Sequence, residues 1–512
     1  MMPSIYELHK PLRNHLKKVN LLESLYVIWA YEKHLKFGKS FPRDIEVDSG
    51  FLNASHWVNK GVFPWELETI AKEIIINSID PYLIDPPKTL RRWPCFRSAI
   101  NKLKFFENNI VKFHPVNSEL LEMFRIIHRE FPWQINNNSI WLYRYYKIFS
   151  HEKIDEIIQK VIGINAKELY TIGFALVAEC LIHFRKDLPL NIKIRGLDEY
   201  IVNQFLSHFS KDLESIKNDL ISLRKYDENY IYTYNPLISH PLIKVKYRHQ
   251  DALISPMPTL LFRRFTQGLY YEICNESNFG KPFGESFQNY VGEVLEKVFV
   301  NHNYEIYPER EYYIGKERKD SIDWIVCNDD SALFIEVKAK KLRLEAKIEI
   351  NDIDVLHEDL DKMAESIIQS YKTIGDYIEN HYPHLKYNKE RKIYPILLTL
   401  ESWDIWVNQI RDMLLDKIHE KFELSNINIC WLDEMPYTIC DVEEFESLIQ
   451  VINCYGINKV MGEKVFDSEK RNWPIKSFLN DFTNDELIIE NLFPEAFEKI
   501  FPDIIKHKAD DK

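Results

Sequence analysis

Between Ser321 and Lys341 the chain reads SIDWIVCNDDSALFIEVKAKK, and this stretch constrains the fold more than any other. Two short apolar runs, rich in β-branched and aromatic residues, flank a polar Asn-Asp-Asp-Ser. That is the pattern of two strands joined by a tight turn. Side chains alternate across a strand. In ALFIEVKA, Leu333, Ile335 and Val337 therefore share one face, and Phe334, Glu336 and Lys338 share the other. A two-residue turn at Asp329–Asp330, or a four-residue loop over 328–331, gives the same register. Either one sets Asp323 directly across from Glu336 on one face.

Carboxylates directly opposed on a sheet destabilise it, and a buried unpaired carboxylate is costlier still. A divalent cation between them removes both penalties. A ligand set made only of oxygen suits a hard ion, Mg²⁺ or Mn²⁺. Lys338 then sits beside the ion, placed to orient a water or to stabilise charge on a phosphate. The plain alternative is a surface hairpin carrying a Lys–Glu–Asp cluster without chemistry.

The surroundings of the hairpin are α/β in texture. They read as helix (Gly284–Val300), strand (Tyr304–Tyr307), strand (Ile322–Cys327), strand (Ala332–Lys338), long helix (Ile353–Ile378) and strand (Lys392–Thr399). A helix near Trp403–Phe422 and a strand at INICWLD follow. Upstream, to about residue 225, apolar spacing is mostly helical, as in PWELETIAKEIIINSI and KIDEIIQKVIG. Tyr230–Pro258 is extended and punctuated by proline, and TLLFRRFTQGLYYEI reads as a helix. The expected organisation is a mostly helical region over 1–275 for recognition, regulation or assembly, an α/β domain over 276–440, and a helical, acidic tail over 441–512.

Apolar residues make up 45% of the 512 and charged residues 28%, an ordinary globular composition. The net charge of −12 argues against a chain coated in base, while leaving room for a local basic groove. The seven cysteines are odd in number and include no C-x-x-C, so neither a disulfide framework nor a zinc ribbon is indicated. The start, MMPSIYELHKPLRNHLKK, has no signal-peptide apolar core. The run Leu169–Phe184 is interrupted by Glu179 and reads as a buried helix, not a membrane span. A soluble, cytoplasmic protein with no membrane partner is the expectation.

The order αβββαβ, with an acid on the second strand and E-x-K on the third, resembles the PD-(D/E)XK nuclease superfamily, the restriction-endonuclease-like fold. The resemblance covers Gly284 to Thr399. It implies a metal-dependent endonuclease in which Asp323, Glu336 and Lys338 are catalytic. Asp323 and Glu336, with the backbone carbonyl of Val337, would hold Mg²⁺ or Mn²⁺. Many members carry a glutamate on the first helix in a pattern like G-x-x-F-E-x-Y-V; here GESFQNYV puts Gln288 in its place. Phe287, Val291, Val294 and Val298 form the buried stripe of that helix, and Gln288 flanks it, so Gln288 is expected to approach the site. The neutral residue argues for one ion over two. In ESIIQSYKTI, Gln369 lies nearly opposite the stripe of Leu356, Leu360, Met363, Ile367 and Ile374, on a solvated face.

Two basic stretches are candidates for holding nucleic acid. KTLRRWPCFRSAINKLKFF carries Arg91, Arg92 and Arg97 with interleaved aromatics and no acid, as in grooves that hold phosphates and stack bases. KAKKLR, with Lys340, Lys341 and Arg343, follows the E-x-K strand and is supported by Arg310, Lys316, Arg318 and Lys319. The expected partner is nucleic acid, DNA ahead of RNA, with a homo-oligomer or a regulatory protein as further partners. Such a domain joined to a large unassigned region resembles, by architecture, bacterial anti-phage defence effectors. The competing reading is a nuclease fold without activity that binds nucleic acid or a protein, and Gln288 is the feature in its favour.

Overall fold

A computed structural model describes residues 3–501, apart from 56, 80–86, 114–118, 135–137, 191–196, 301–303, 340, 342–352, 404–406, 484–488, 496–497 and 499. The chain is mixed α/β and divides into two compact units. One comprises Met1–Phe279 with the end of the chain from Glu495; the other is Gly280–Pro494. The stretch from 441 is therefore not a separate tail. As far as Pro494 it is part of the second unit.

The first unit is mostly helical. Glu152–Ile162 and Ala166–Ile182 are helices, and Leu169, Tyr170, Ile172, Leu176 and Val177 of the long apolar run are buried. No single helix among the described residues is long and apolar enough to cross a membrane. The extended, proline-punctuated stretch Tyr230–Pro258 supplies two strands, Leu242–Tyr247 and Gln250–Ile254, and two short strands from the region expected to be helical join them. β1 (Arg185–Asp187), β2 (Ser210–Asp212), β3 (Leu242–Tyr247) and β4 (Gln250–Ile254) make a sheet ordered β1-β4-β3-β2. Arg248 and His249 both have positive φ (48° and 67°) in the turn between β3 and β4. A two-residue hairpin turn matching the strand twist needs that conformation at both positions. The helix expected at 259–273 is two, Pro258–Phe265 and Leu269–Ile273, because the Gly268 amide turns back to the Arg263 carbonyl (2.8 Å).

In the second unit a five-stranded sheet runs β11-β10-β9-β8-β5. Its strands are β5 (Glu305–Pro308), β8 (Trp324–Cys327), β9 (Ser331–Lys338), β10 (Lys392–Thr399) and β11 (Thr438–Asp441). β5, β8 and β9 are antiparallel neighbours; β9, β10 and β11 are parallel. The helix Ile353–Ile378 links β9 to its parallel neighbour β10, the crossover that parallel pairing demands. Leu356, Leu360, Met363, Ile367 and Ile374 are buried, and Gln369 is exposed, as the helical wheel requires. β9 is buried along both faces to Val337, which explains its near-continuous apolar run.

Two elements differ from the sequence expectation. INICWLD is a turn leading into the short helix Trp431–Glu434, and the strand lies later, at β11. Asn428 decides this: its side-chain oxygen accepts from the Cys430 amide (3.1 Å) and its carbonyl from the Trp431 amide (3.1 Å). Such local bonds offer the backbone an alternative to a ladder. A small hairpin, β6 (Glu311–Ile314) and β7 (Glu317–Asp320), is also inserted between β5 and β8 around Gly315 at φ 62°. Tyr312 and Lys319 tie it to Asp376 of the crossover helix (2.5 and 3.0 Å).

The helix Gly280–Val298 packs against the Trp324 face of the sheet. The Trp324 indole donates to the Gln288 carbonyl at 3.0 Å. Phe287, Val291, Val294 and Val298 are buried beneath it. Gly292 permits the close approach: a Cβ there would lie 2.4 Å from the Trp324 ring. Gly292→Ala should therefore destabilise the protein by about 1–3 kcal/mol through overpacking, measured by denaturant unfolding, and a second change, Trp324→Phe, should recover part of the loss.

Candidate active site

The turn that sets the hairpin register is held by Asn328. Its amide donates to the Ser331 carbonyl (3.0 Å), and its side-chain oxygen accepts from the amides of Asp330 and Ser331 (3.2 and 2.9 Å). Trp324 then pairs with Ile335 and Cys327 with Ala332, the register expected from the sequence. One step beyond Trp324, Asp323 comes level with Glu336. Its Oδ2 accepts a hydrogen bond from the Val337 amide at 2.6 Å. Lys338 donates to Glu336 Oε1 at 2.6 Å. The Glu336 side chain is 9% exposed and that of Lys338 40%, so the pair runs from the interior to the surface.

Burial pushes the Asp323 carboxyl up to about 8, with the Glu336 charge adding to the rise; the Val337 amide and Lys338 only partly oppose it. Glu336 is also raised, first by burial, with Lys338 acting against the shift. Burial works against the Lys338 ammonium, yet Glu336, Asp323 and Glu309 hold its proton more tightly than usual. The site is thus short of positive charge.

Glu309 is the residue the sequence reading missed. β5 pairs with β8 so that Pro308 faces Trp324, and one step on the Glu309 amide donates to the Asp323 carbonyl at 2.8 Å. Gln288 Nε2 donates to Glu309 Oε2 at 3.0 Å. Gln288 therefore approaches the site, but through a carboxylate. Extending the register argument from β8 to β5 would have found it; the inserted hairpin hides that pairing in the linear sequence.

Among the described residues, no three His, Cys, Asp or Glu side chains already converge as a metal-ligand set. The donors present still fit a hard cation. Asp323, half-buried, and Glu336, buried, are opposed carboxylates, and with the Val337 carbonyl they would be the protein's share. Mg²⁺ characteristically takes one or two carboxylates and fills its other positions with water and phosphate oxygen.

The basic stretches fare differently. Arg91 is paired with Asp44 (2.6 Å) and Glu23 (3.7 Å), and Lys104 with Glu66 (3.3 Å). Phe96 and Phe106 are core residues of the helix Trp93–Ile110 and cannot stack bases. Arg92 and Arg97 are exposed, Arg97 lying over the Trp93 ring. Lys341 is buried, with Glu401 at 3.9 Å, so it is not a surface phosphate contact. Lys340 and Arg343 lie outside the described residues. Arg318 pairs with Glu311 and Lys319 with Asp376, which spends much of the supporting charge.

Comparison of the chain with protein-family models, curated proteins and solved structures gives no match.

The raised Asp323 carboxyl has a consequence for stability. Its folded-state value of about 8 lies above the ordinary 3.8, so the folded protein binds more protons than the unfolded chain between the two. Stability then falls as pH rises through that window. Asp323→Asn keeps an oxygen for the Val337 amide and removes the charge. In chelator, its thermal midpoint should exceed the parent's clearly near pH ~9 and hardly at all near pH ~4; an equal difference at both would refute this assignment.

Proposed function

We propose that residues 280–494 are a metal-dependent nuclease of the PD-(D/E)XK type that hydrolyses phosphodiester bonds, with DNA as its first expected substrate. One observation carries the reading: half-buried Asp323 and buried Glu336 lie level with each other across β8 and β9, with Lys338 bonded to Glu336. The order of elements supports it. Helix Gly280–Val298, β5, β8, β9, helix Ile353–Ile378 and β10 follow the αβββαβ order of the restriction-endonuclease-like core once β6 and β7 are set aside as an insertion.

Each residue then has a role its surroundings allow. Asp323 and Glu336 supply charged oxygens, and the Val337 amide keeps Asp323 from turning away. A divalent cation, when bound there, supplies polarisation of the phosphate and a more acidic water. Lys338, whose ammonium is stabilised by the surrounding acids, stays cationic and is placed to offset charge developing on phosphoryl oxygen. Its partial exposure lets it reach a substrate without leaving Glu336.

The test is nicking of supercoiled plasmid DNA, with single-stranded RNA in parallel. Activity should require Mg²⁺ or Mn²⁺ and vanish with chelator. Asp323→Ala and Glu336→Ala should each lower the rate at least ~100-fold, and Lys338→Ala about 10²–10³-fold. Undiminished cleavage in chelator would refute the proposal. Mn²⁺ binding without cleavage of either nucleic acid would favour an inactive binding module.

A further inference from the structure

The nuclease reading leaves Gln288 as a departure, an amide where relatives would hold an acid. We propose that Glu309 is the third acid of this site, a positioning residue that holds a water on the bound cation, and that Gln288 fixes its carboxylate. The inference rests on the nuclease reading and deepens it.

β5 and β8 place Glu309 opposite Asp323, and β8 and β9 place Asp323 opposite Glu336. Three acids thus lie at one level across three adjacent strands. Directly opposed residues of antiparallel strands are about 4.5–5.5 Å apart at Cα, so Glu309 and Glu336 flank Asp323 from either side. The charge of Glu309 acts on Asp323, Glu336 and Lys338 alike.

Its bonding suggests an outer role over a direct one. Glu309 Oε2 accepts from the Gln288 amide, and Oε1 accepts from no described residue. One oxygen is anchored and the other can take a hydrogen bond from a water. A glutamate at 288 would instead set two carboxylates at hydrogen-bond distance. The neutral amide and the neighbouring acid are complementary, so the departure at Gln288 and the extra acid at Glu309 are two halves of one arrangement. Gln288 is itself held in place, because its carbonyl accepts the Trp324 indole and its helix lies tight on that ring through Gly292.

The experiment is calorimetric titration of the full chain with Mn²⁺, alongside thermal unfolding in chelator. The parent should bind the ion, and Asp323→Asn should lose binding. Glu309→Gln, nearly isosteric, should raise the Kd for Mn²⁺ about 10–100-fold, the usual effect of removing an outer-sphere partner, with its unfolding midpoint no lower than the parent's. Gln288→Ala should weaken binding in the same direction and by less. In the Glu309→Gln background it should add nothing, because Gln288 acts through Glu309. If Asp323→Asn loses the ion while Glu309→Gln binds it as the parent does, the role of Glu309 is overturned and the nuclease reading stands. If Gln288→Ala weakens binding equally with and without Glu309, the link between the two is overturned. A parent chain that binds no Mn²⁺ overturns both readings.

Discussion

The hydrogen bond from the Val337 amide to Asp323 holds the candidate site together. It joins a backbone donor of β9 to a carboxylate at the entry to β8, across from Glu336. A carboxylate drawn partly out of water beside a second acid needs such a donor, since the hydration it loses is otherwise not replaced. The bond does not cancel the repulsion from Glu336, and Asp323 stays far from its ordinary protonation behaviour. Without a cation the folded chain relieves this conflict only by holding a proton on Asp323 up to about pH 8. Conflicts of this kind concentrate at functional sites.

The rest of the second unit keeps that conflict in place. Asn328 fixes the turn and hence the register. Trp324, on the opposite face, locks β8 against the helix Gly280–Val298, and only glycine at 292 allows the ring so close. The same indole bond positions Gln288, which reaches Glu309 at the sheet edge. On the other face, Phe334 packs on Tyr377 of the crossover helix (5.1 Å between ring centroids). Apolar packing on both faces supplies the favourable burial that offsets the cost of the acids.

The basic residues show why charge runs are poor guides to surfaces. Arg91 and Lys104 sit in a stretch with no acid of its own. Asp44, Glu23 and Glu66 come from distant parts of the chain and neutralise them. Phe96 and Phe106, which read as stacking platforms, lie at helical spacing and are buried instead. Local sequence shows a charge; only the fold shows its partner.

What the sequence determined by itself was short in range. Alternation along β9 and a tight turn set Asp323 against Glu336, and helical spacing marked the buried stripes of the helices Gly280–Val298 and Ile353–Ile378. Both follow from the fixed periods of strand and helix, which operate within a few residues. Tertiary structure alone decided that the Glu309 backbone pairs with that of Asp323, that Thr438–Asp441 pairs as a strand with β10, and that Lys341 is buried. Each depends on pairing between segments separated by an inserted hairpin, a crossover helix or a turn. The register of such pairs is set by the packing of whole faces, which no local period encodes.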